Sequence, residues 1–222
     1  FFRASGVRGT SSGMAQMLGT GMLRASTTPL RSRMRPRLAG SATARAEGGS
    51  DAFGLGVAVG DTTATASISP AVAGEAMVKS SISGGTVRST GGGINVKTVF
   101  NTDKDGKVVN GSGATATAYA AAGGLIASSG ATATATETPY LDAFVDSDAT
   151  LGAKGTITVT SNSQTSPTAT AAGQAGGLVG VGKSNASATG SATVKARMEG
   201  DIVADSRAGA TSLEVKALGA DK

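Results

Sequence analysis

The sequence predicts an all-β protein whose architecture is a parallel β-helix, also called a β-solenoid. Small apolar and hydroxyl residues alternate with period two over long stretches, such as Thr168 to Ala171, which is typical of strands and produces no helical stripe. The alternating stretch recurs after about 53 residues. Aromatic residues make up only 3% of the chain, so a thick globular core is not expected. A thin solenoid filled by small residues satisfies all three observations.

Residues 1–46 form a basic segment that is rich in Arg and Ser and has a composition unlike the rest of the chain. They contain eight Arg and no acidic residue. We expect this segment to be irregular or disordered, as either a flexible flank or an organelle-targeting peptide. A basic arm that binds acidic partners is a third alternative.

The predicted solenoid body spans residues 47–222 and carries twelve basic and fifteen acidic residues. This balance gives nucleic acid no basic surface to bind, so we expect no nucleic-acid partner. No run of 18 apolar residues is present, which argues against a transmembrane helix. The chain contains no Cys, which excludes a disulfide framework and any cysteine-ligated metal site.

The internal repeat is defined by a gap-free alignment of residues 115–145 with residues 168–198, at an offset of 53. The copy upstream of these two aligns at an offset of 69. We place the three copies at about 53–100, 115–163 and 168–217. The residue pairs that the alignment superimposes include Leu125 with Leu178, Ala133 with Ala186, Leu141 with Val194, Ala143 with Ala196, and Thr63 with Thr132.

Each copy closes with a strand in which apolar and polar residues alternate, beginning near Ile94, Ile157 and Leu213. The longer first interval is explained mostly by a surface insertion at about 101–112. We expect roughly 18 to 25 residues per solenoid coil, so that each repeat supplies two or three coils. Gly-containing dipeptides mark the corners between strands.

The segments GGLVGVG, SNASATGSATVKA and TPYLDAFVDSDATLGAKGTITVTSNS carry a family resemblance. They resemble the repeats of giant bacterial secreted exoproteins of the filamentous-haemagglutinin and leukotoxin-like adhesin type, over about residues 48–222. The resemblance implies a right-handed parallel β-helix in a long filament at the cell surface or in the extracellular medium. No capping segment follows the last closing strand, so we expect either a fragment of a larger repeat protein or a natural end that a partner caps.

A candidate calcium loop lies in the insertion, where Asn101, Asp103 and Asp105 offer oxygen ligands at alternate positions and Gly106 allows a sharp turn. The twelfth position is Ser112, so the bidentate Glu of such loops is missing. A solvated Asp-Gly hairpin turn explains the same residues. Calcium is the only cofactor that the sequence suggests.

A second acidic group consists of Asp142, Asp146 and Asp148, and a polar outer strand face explains it as well as a metal site does. Catalysis has little support, because the chain has neither His nor Cys and only two Tyr. Asp146 and Asp148 could serve a glycosidase only inside a cleft, and the sequence does not predict one. We therefore expect no enzymatic activity.

Rows of Thr provide the candidate binding surface. Thr-x-Thr pairs stacked on a flat sheet resemble the ice-binding face of β-solenoid antifreeze proteins. Thr is also a favourable outward strand residue, and the pairs occur at different phases of the repeat, so they need not stack. The candidates are Thr63, Thr65, Thr115, Thr117, Thr132, Thr134, Thr168 and Thr170, with Thr136, Thr158 and Thr160 in similar pairs.

The sequence thus favours a non-enzymatic structural or adhesive shaft, with an ice-binding solenoid as the alternative function. We expect a cell-surface or extracellular location with an unknown extracellular ligand, and self-association through the unpaired ends of the solenoid. Organelle targeting through the basic N-terminal segment is the alternative location.

Overall fold

The computed structural model describes residues 11–15, 19–23, 37–40, 43–53, 57–103, 107–109, 112–203 and 210–221, with side chains from residue 43 to residue 220. These residues form strands and no helix, so none of them belongs to a helix that could cross a membrane. The strands are β1 (Ser11–Ala15), β2 (Gly19–Leu23), β3 (Arg37–Gly40), β4 (Thr43–Phe53), β5 (Val57–Ile68), β6 (Val78–Ile82), β7 (Gly85–Ser89), β8 (Ile94–Phe100), β9 (Gly113–Gly123), β10 (Ile126–Glu137), β11 (Tyr140–Val145), β12 (Ala149–Ala153), β13 (Ile157–Thr165), β14 (Thr168–Gly176), β15 (Val179–Gly190), β16 (Thr193–Met198), β17 (Asp201–Ile202) and β18 (Leu213–Asp221).

The strands pair in parallel in five stacked sheets. In strand order these are sheet A (β1-β5-β10-β15), sheet B (β2-β6-β11-β16), sheet C (β7-β12-β17), sheet D (β3-β8-β13-β18) and sheet E (β4-β9-β14). The chain visits the sheets in the order A to E and then returns to A, and we call one such passage a circuit. Parallel strands stacked in this way are consistent with a β-solenoid.

The register places repeat-related residues directly opposite each other. Ala133 in β10 lies opposite Ala186 in β15, its counterpart in the next copy, and opposite Ala64 in β5, its counterpart in the preceding copy. Leu141 likewise lies opposite Val194. The expectation of two or three coils per repeat was wrong, because hydrogen-bonded partners within a sheet are separated by a whole circuit through the other sheets.

Each circuit has a flattened cross-section because the long strands of sheets A and E pack face to face. Most of their inward residues are Ala, including the fully buried Ala116 and Ala133, and the others are mainly Gly, Ser and Thr. A Cβ atom at Gly60 in β5 would lie 2.6 Å from the carbonyl oxygen of Ala121 in β9, so only glycine fits there. Small residues thus let the two sheets approach closely.

The other half of each circuit has a core of larger aliphatic residues. Sheets B and D face each other, and the short sheet C joins them at one end. Leu151 from sheet C and Ile157 and Val159 from sheet D are fully buried in this core, together with Val145 from sheet B. The fold therefore has an alanine-filled half and an aliphatic half.

Strands also occur in the region where an irregular segment was expected. The described residues before residue 47 form β1, β2, β3 and the start of β4, and each pairs with a strand of the next circuit. The expected domain boundary at residue 46 therefore falls inside β4. Ala44 and Ala46 are buried and continue the inward Ala pattern of sheet E, which explains why β4 joins the stack.

The second circuit is longer than the third at two places. The sequence separation between register partners is largest between β5 and β10, smaller between β6 and β11 and between β8 and β13, and smallest between β9 and β14. One extra segment is the predicted insertion at 101–112, between β8 and β9. The other lies at 69–77, between β5 and β6, and the sequence alignment missed it.

Candidate functional site

The outer face of sheet A carries the best-ordered rows of hydroxyl residues. Thr63 lies opposite Thr132, and Thr65 lies opposite Thr134. The rows continue into β15 as Asn185 opposite Thr132 and Ser187 opposite Thr134, while Thr136 lies between Ser67 and Thr189. Successive strands lie about 4.8 Å apart, and outward residues on one strand lie about 6.6 Å apart. The candidate Thr residues of this sheet therefore form a regular grid.

The remaining candidate Thr residues lie on two other sheets. Thr115 lies opposite Thr168 and Thr117 opposite Thr170 on the outer face of sheet E. These rows are only two strands wide in hydroxyl groups, because Arg45 and Glu47 occupy the equivalent positions of β4. Thr158 and Thr160 project from sheet D between Asn95, Lys97, Glu214 and Lys216, so they do not extend a Thr row.

The same outer face of sheet A is apolar at its other end, next to the turn that joins sheet E to sheet A. Val57, Ile126 and Val179 form one row across three strands, and all three are exposed. Val59 and Val181 flank Ser128 in the next row. Leu178, in the turn itself, is 87% exposed. Contiguous exposed apolar rows of this kind are typical of an interaction surface.

Between the apolar and hydroxyl rows lies a row of opposite charges separated by a glycine. Asp61 of β5 and Lys183 of β15 lie on either side of Gly130 of β10. A depression of about 310 Å³ includes Gly130 in its lining, and Ser128 and Thr132 border it along the strand. The structure gives Asp61 and Lys183 no ion pair with any described residue. Sequence reasoning missed this row, since only the register brings the two charges together.

The calcium-loop candidate lies in the insertion and folds as a small hairpin in its described part. Asp103 accepts a hydrogen bond at Oδ1 from the backbone N–H of Lys107 over 2.9 Å, and Thr102 bridges to Val108. Asp105 lies outside the described residues. The described contacts show a short hairpin, and both the calcium loop and the Asp-Gly turn stay predictions.

Asn101, the first residue of the calcium-loop candidate, points into the protein instead of toward Asp103's turn. It is buried, has a positive φ of 53°, and donates a side-chain hydrogen bond to Oε1 of Glu137. Glu137 is fully buried at the end of β10, and its Oε2 accepts a 2.9 Å hydrogen bond from the backbone N–H of Ser166. The carboxyl group thus fixes the base of the insertion to the next circuit.

The acidic residues Asp142, Asp146 and Asp148 do not converge on one point. Asp142 lies on the outer face of sheet B and pairs with Arg197, whose Nη2 is 2.8 Å from Oδ2. Asp146 accepts a hydrogen bond from the backbone N–H of Ser147 in the following turn. Within the described ranges, no three His, Cys, Asp or Glu residues are grouped as metal ligands would be.

The outer face of sheet B instead presents cations stacked on aromatic rings. The Arg197 guanidinium and the Lys79 ammonium each lie 4.8 Å from the centre of the Phe144 ring, and Lys195 lies 5.1 Å from the Tyr140 ring. The hydrogen bond with Asp142 raises the pKa of Arg197 above its usual value, and partial burial opposes this with a smaller effect. Sequence reasoning missed this cluster as well, because its residues come from three circuits.

Comparisons with known proteins find no matching family model, no matching curated protein and no matching solved structure.

Proposed function

We propose that this chain is a non-enzymatic structural or adhesive shaft segment. In this proposal each circuit is one coil of a parallel β-helix, and the repeat unit is about 53 residues long. One observation carries the proposal. All twelve residues of β10, from Ile126 to Glu137, pair in unbroken register with β5 on one side and β15 on the other. Stacking of this kind gives stability through nearest-neighbour contacts and presents repeated outer faces.

The ends of the stack are the surfaces through which copies of this chain would associate into a longer shaft. The described circuits rise only roughly 15 to 20 Å along the stacking direction, at about 4.8 Å per strand spacing. At the β18 end, Leu213 and Val215 are 46% and 42% exposed, although their register partners Ile157 and Val159 are fully buried. We propose that a second copy stacks there, because unpaired strand edges and uncovered core residues favour strand addition.

The location and ligand of the shaft are proposed on the family resemblance of the repeats. We place it at the cell surface or in the extracellular medium, where it presents or spaces an adhesive element. Organelle targeting through residues 1–46 is the alternative. Electron microscopy of surface-labelled cells that express the full-length gene distinguishes the two locations.

End stacking is tested by electron microscopy and fibre diffraction of concentrated protein. We expect rod-like assemblies with an axial spacing of about 4.8 Å. Val215→Lys places a charge on the end surface and should abolish the rods, whereas the control Thr158→Lys, on an outer face, should leave them intact. Compact particles at every concentration would contradict the shaft.

A second candidate function is ice binding, which the grid on sheet A favours because Thr63 lies opposite Thr132 and Thr65 opposite Thr134. Thermal hysteresis of the purified chain tests this function. If a freezing-point gap is present and Thr132→Leu or Thr134→Leu abolishes it while the control Thr158→Leu does not, ice binding replaces the shaft as the function. The absence of any gap rejects ice binding.

A further inference from the structure

We propose that the outer face of sheet A is a self-complementary surface through which two copies of this chain pair face to face, related by a twofold axis that runs parallel to β10. The pairing uses none of the end surfaces, and it does not rest on the shaft function. It follows from the arrangement of charged, apolar and hydroxyl rows on β5, β10 and β15.

The twofold axis fixes which residues meet. Rotation about an axis that lies along β10 and above the sheet keeps strand direction and row position, and it exchanges β5 with β15. Every row therefore faces the same row of the second copy in reverse order. Residues of β10 face themselves, so Ile126 meets Ile126 and Thr132 meets Thr132 of the second copy.

The charged row is complementary under this operation. Asp61 of one copy faces Lys183 of the other, and Lys183 of the first faces Asp61 of the second, because Gly130 lies between them in register. Two ion pairs form across the interface. In the single chain these residues have no ion pair with the described residues. Like charges that face each other would repel, so the opposite charges of Asp61 and Lys183 favour a second copy of this chain as the partner.

Gly130 provides the space that the two ion pairs need. A Cβ atom at this position would lie 2.7 Å from Oδ1 of Asp61, so the carboxyl group already leans over the glycine. The depression of about 310 Å³ around Gly130 faces the same depression of the second copy. Side chains from both copies can therefore enter the interface without separating the sheets.

The apolar and hydroxyl rows also match. Val57 faces Val179 and Val59 faces Val181 of the second copy, which removes the exposed aliphatic rows from water. The hydroxyl rows meet each other at the opposite end of the strands. This division gives the interface an apolar part at one end of the strands and a polar part at the other.

The size of the face is sufficient for a specific dimer. Three strands of twelve residues cover roughly 14 Å by 40 Å, so a pair of copies buries roughly 1,100 Å². This area lies just above the roughly 1,000 Å² that separates specific interfaces from incidental contacts. The interface is isologous and closes at two copies, so it does not by itself produce a filament.

Charge reversal tests the proposal in the full chain carrying Val215→Lys, which prevents end stacking. By light scattering and sedimentation, we expect a mass of twice 21.4 kDa. Lys183→Asp or Asp61→Lys alone should weaken the dimer at least about tenfold, and the double reversal Asp61→Lys/Lys183→Asp should restore it. The control Lys154→Asp, at an exposed corner, should have no effect.

Cross-linking on the axis gives an independent measurement, because the chain has no natural cysteine. Thr132→Cys should be joined into dimers by a short bismaleimide, and the matched Thr158→Cys, on the outer face of sheet D, should not. A monomer before any reversal, a dimer indifferent to both single reversals, or equal cross-linking of the two cysteine variants would overturn the proposal. If the unsubstituted chain forms no rods but the charge reversals act on the dimer as predicted, the shaft proposal is overturned and the dimer proposal stands.

Discussion

Arg197 of β16 forms an ion pair with Asp142 of the neighbouring strand β11, with Nη2 2.8 Å from Oδ2. The Arg197 guanidinium also stacks on Phe144, 4.8 Å from the centre of its ring. Asp142 is almost fully buried, so its loss of hydration is offset mainly by this partner. The contact joins the third circuit to the fourth. It therefore links two neighbouring coils through side chains as well as through the backbone.

Arg197→Ala should lower the free energy of unfolding by about 1 to 2 kcal/mol, because it removes the ion pairs with Asp142 and Glu199 and a cation–π contact, and it leaves Asp142 without this partner. The midpoint of urea unfolding measures the loss. Arg197→Lys should lie between, since it keeps the charge but not the planar fork. Lys154→Ala, at an exposed site, is the control, and an equal effect of both alanine variants would contradict this role for Arg197.

Glu137 should be more important for stability than its single position suggests. Glu137→Ile removes the acceptor of the Asn101 side chain and of the Ser166 backbone N–H, and we expect a loss of about 2 to 4 kcal/mol. Isoleucine should pack well at this position, because Ile68 occupies the same register position in β5 and is also fully buried. Glu137→Gln keeps one carbonyl oxygen and should cost less. Unchanged thermal stability of Glu137→Ile would show that the hydrogen bonds contribute nothing.

Two glycine-to-alanine variants test how closely sheets A and E approach. Gly60→Ala places a Cβ atom 2.6 Å from the Ala121 carbonyl oxygen and should destabilise the protein by about 1 to 3 kcal/mol. Gly49→Ala, in β4, meets no atom within 4 Å and should be neutral or stabilising by up to about 1 kcal/mol. Thermal unfolding of both variants provides the comparison. If Gly60→Ala were as stable as Gly49→Ala, the close packing would be wrong.

The period-two alternation predicted the strands and their register well. Small residues at every second position face the core and the hydroxyl residues between them face outward, so a shift of one residue would reverse the two faces. Ala133 and Ala186, aligned from the sequence, lie opposite each other. Coil length was not predictable in the same way. The length of the repeat is compatible with one large coil or several small ones, and the choice depends on the long Ala-to-Ala contact between sheets A and E.

The side-chain clusters could not be predicted from the sequence, because their members come from different circuits. Lys79, Phe144 and Arg197 are far apart in the chain and meet only because three strands of sheet B share one register. Glu137 stands where its neighbouring circuits have Ile68 and Gly190, so the repeat predicts no carboxyl group there. The departure of Glu137 from the repeat was the only sign of this buried carboxyl group in the sequence.

The stacking of one circuit on the next is tested most directly by paired cysteines in this cysteine-free chain. Thr115 and Thr168 lie opposite each other in sheet E, so their Cα atoms are about 4.8 Å apart, within the range that a disulfide spans. We predict that Thr115→Cys/Thr168→Cys forms an intramolecular disulfide on mild oxidation. Thr115→Cys/Thr170→Cys, displaced by two residues, should stay reduced. A disulfide in the displaced pair, or none in the aligned pair, would contradict the stacked register.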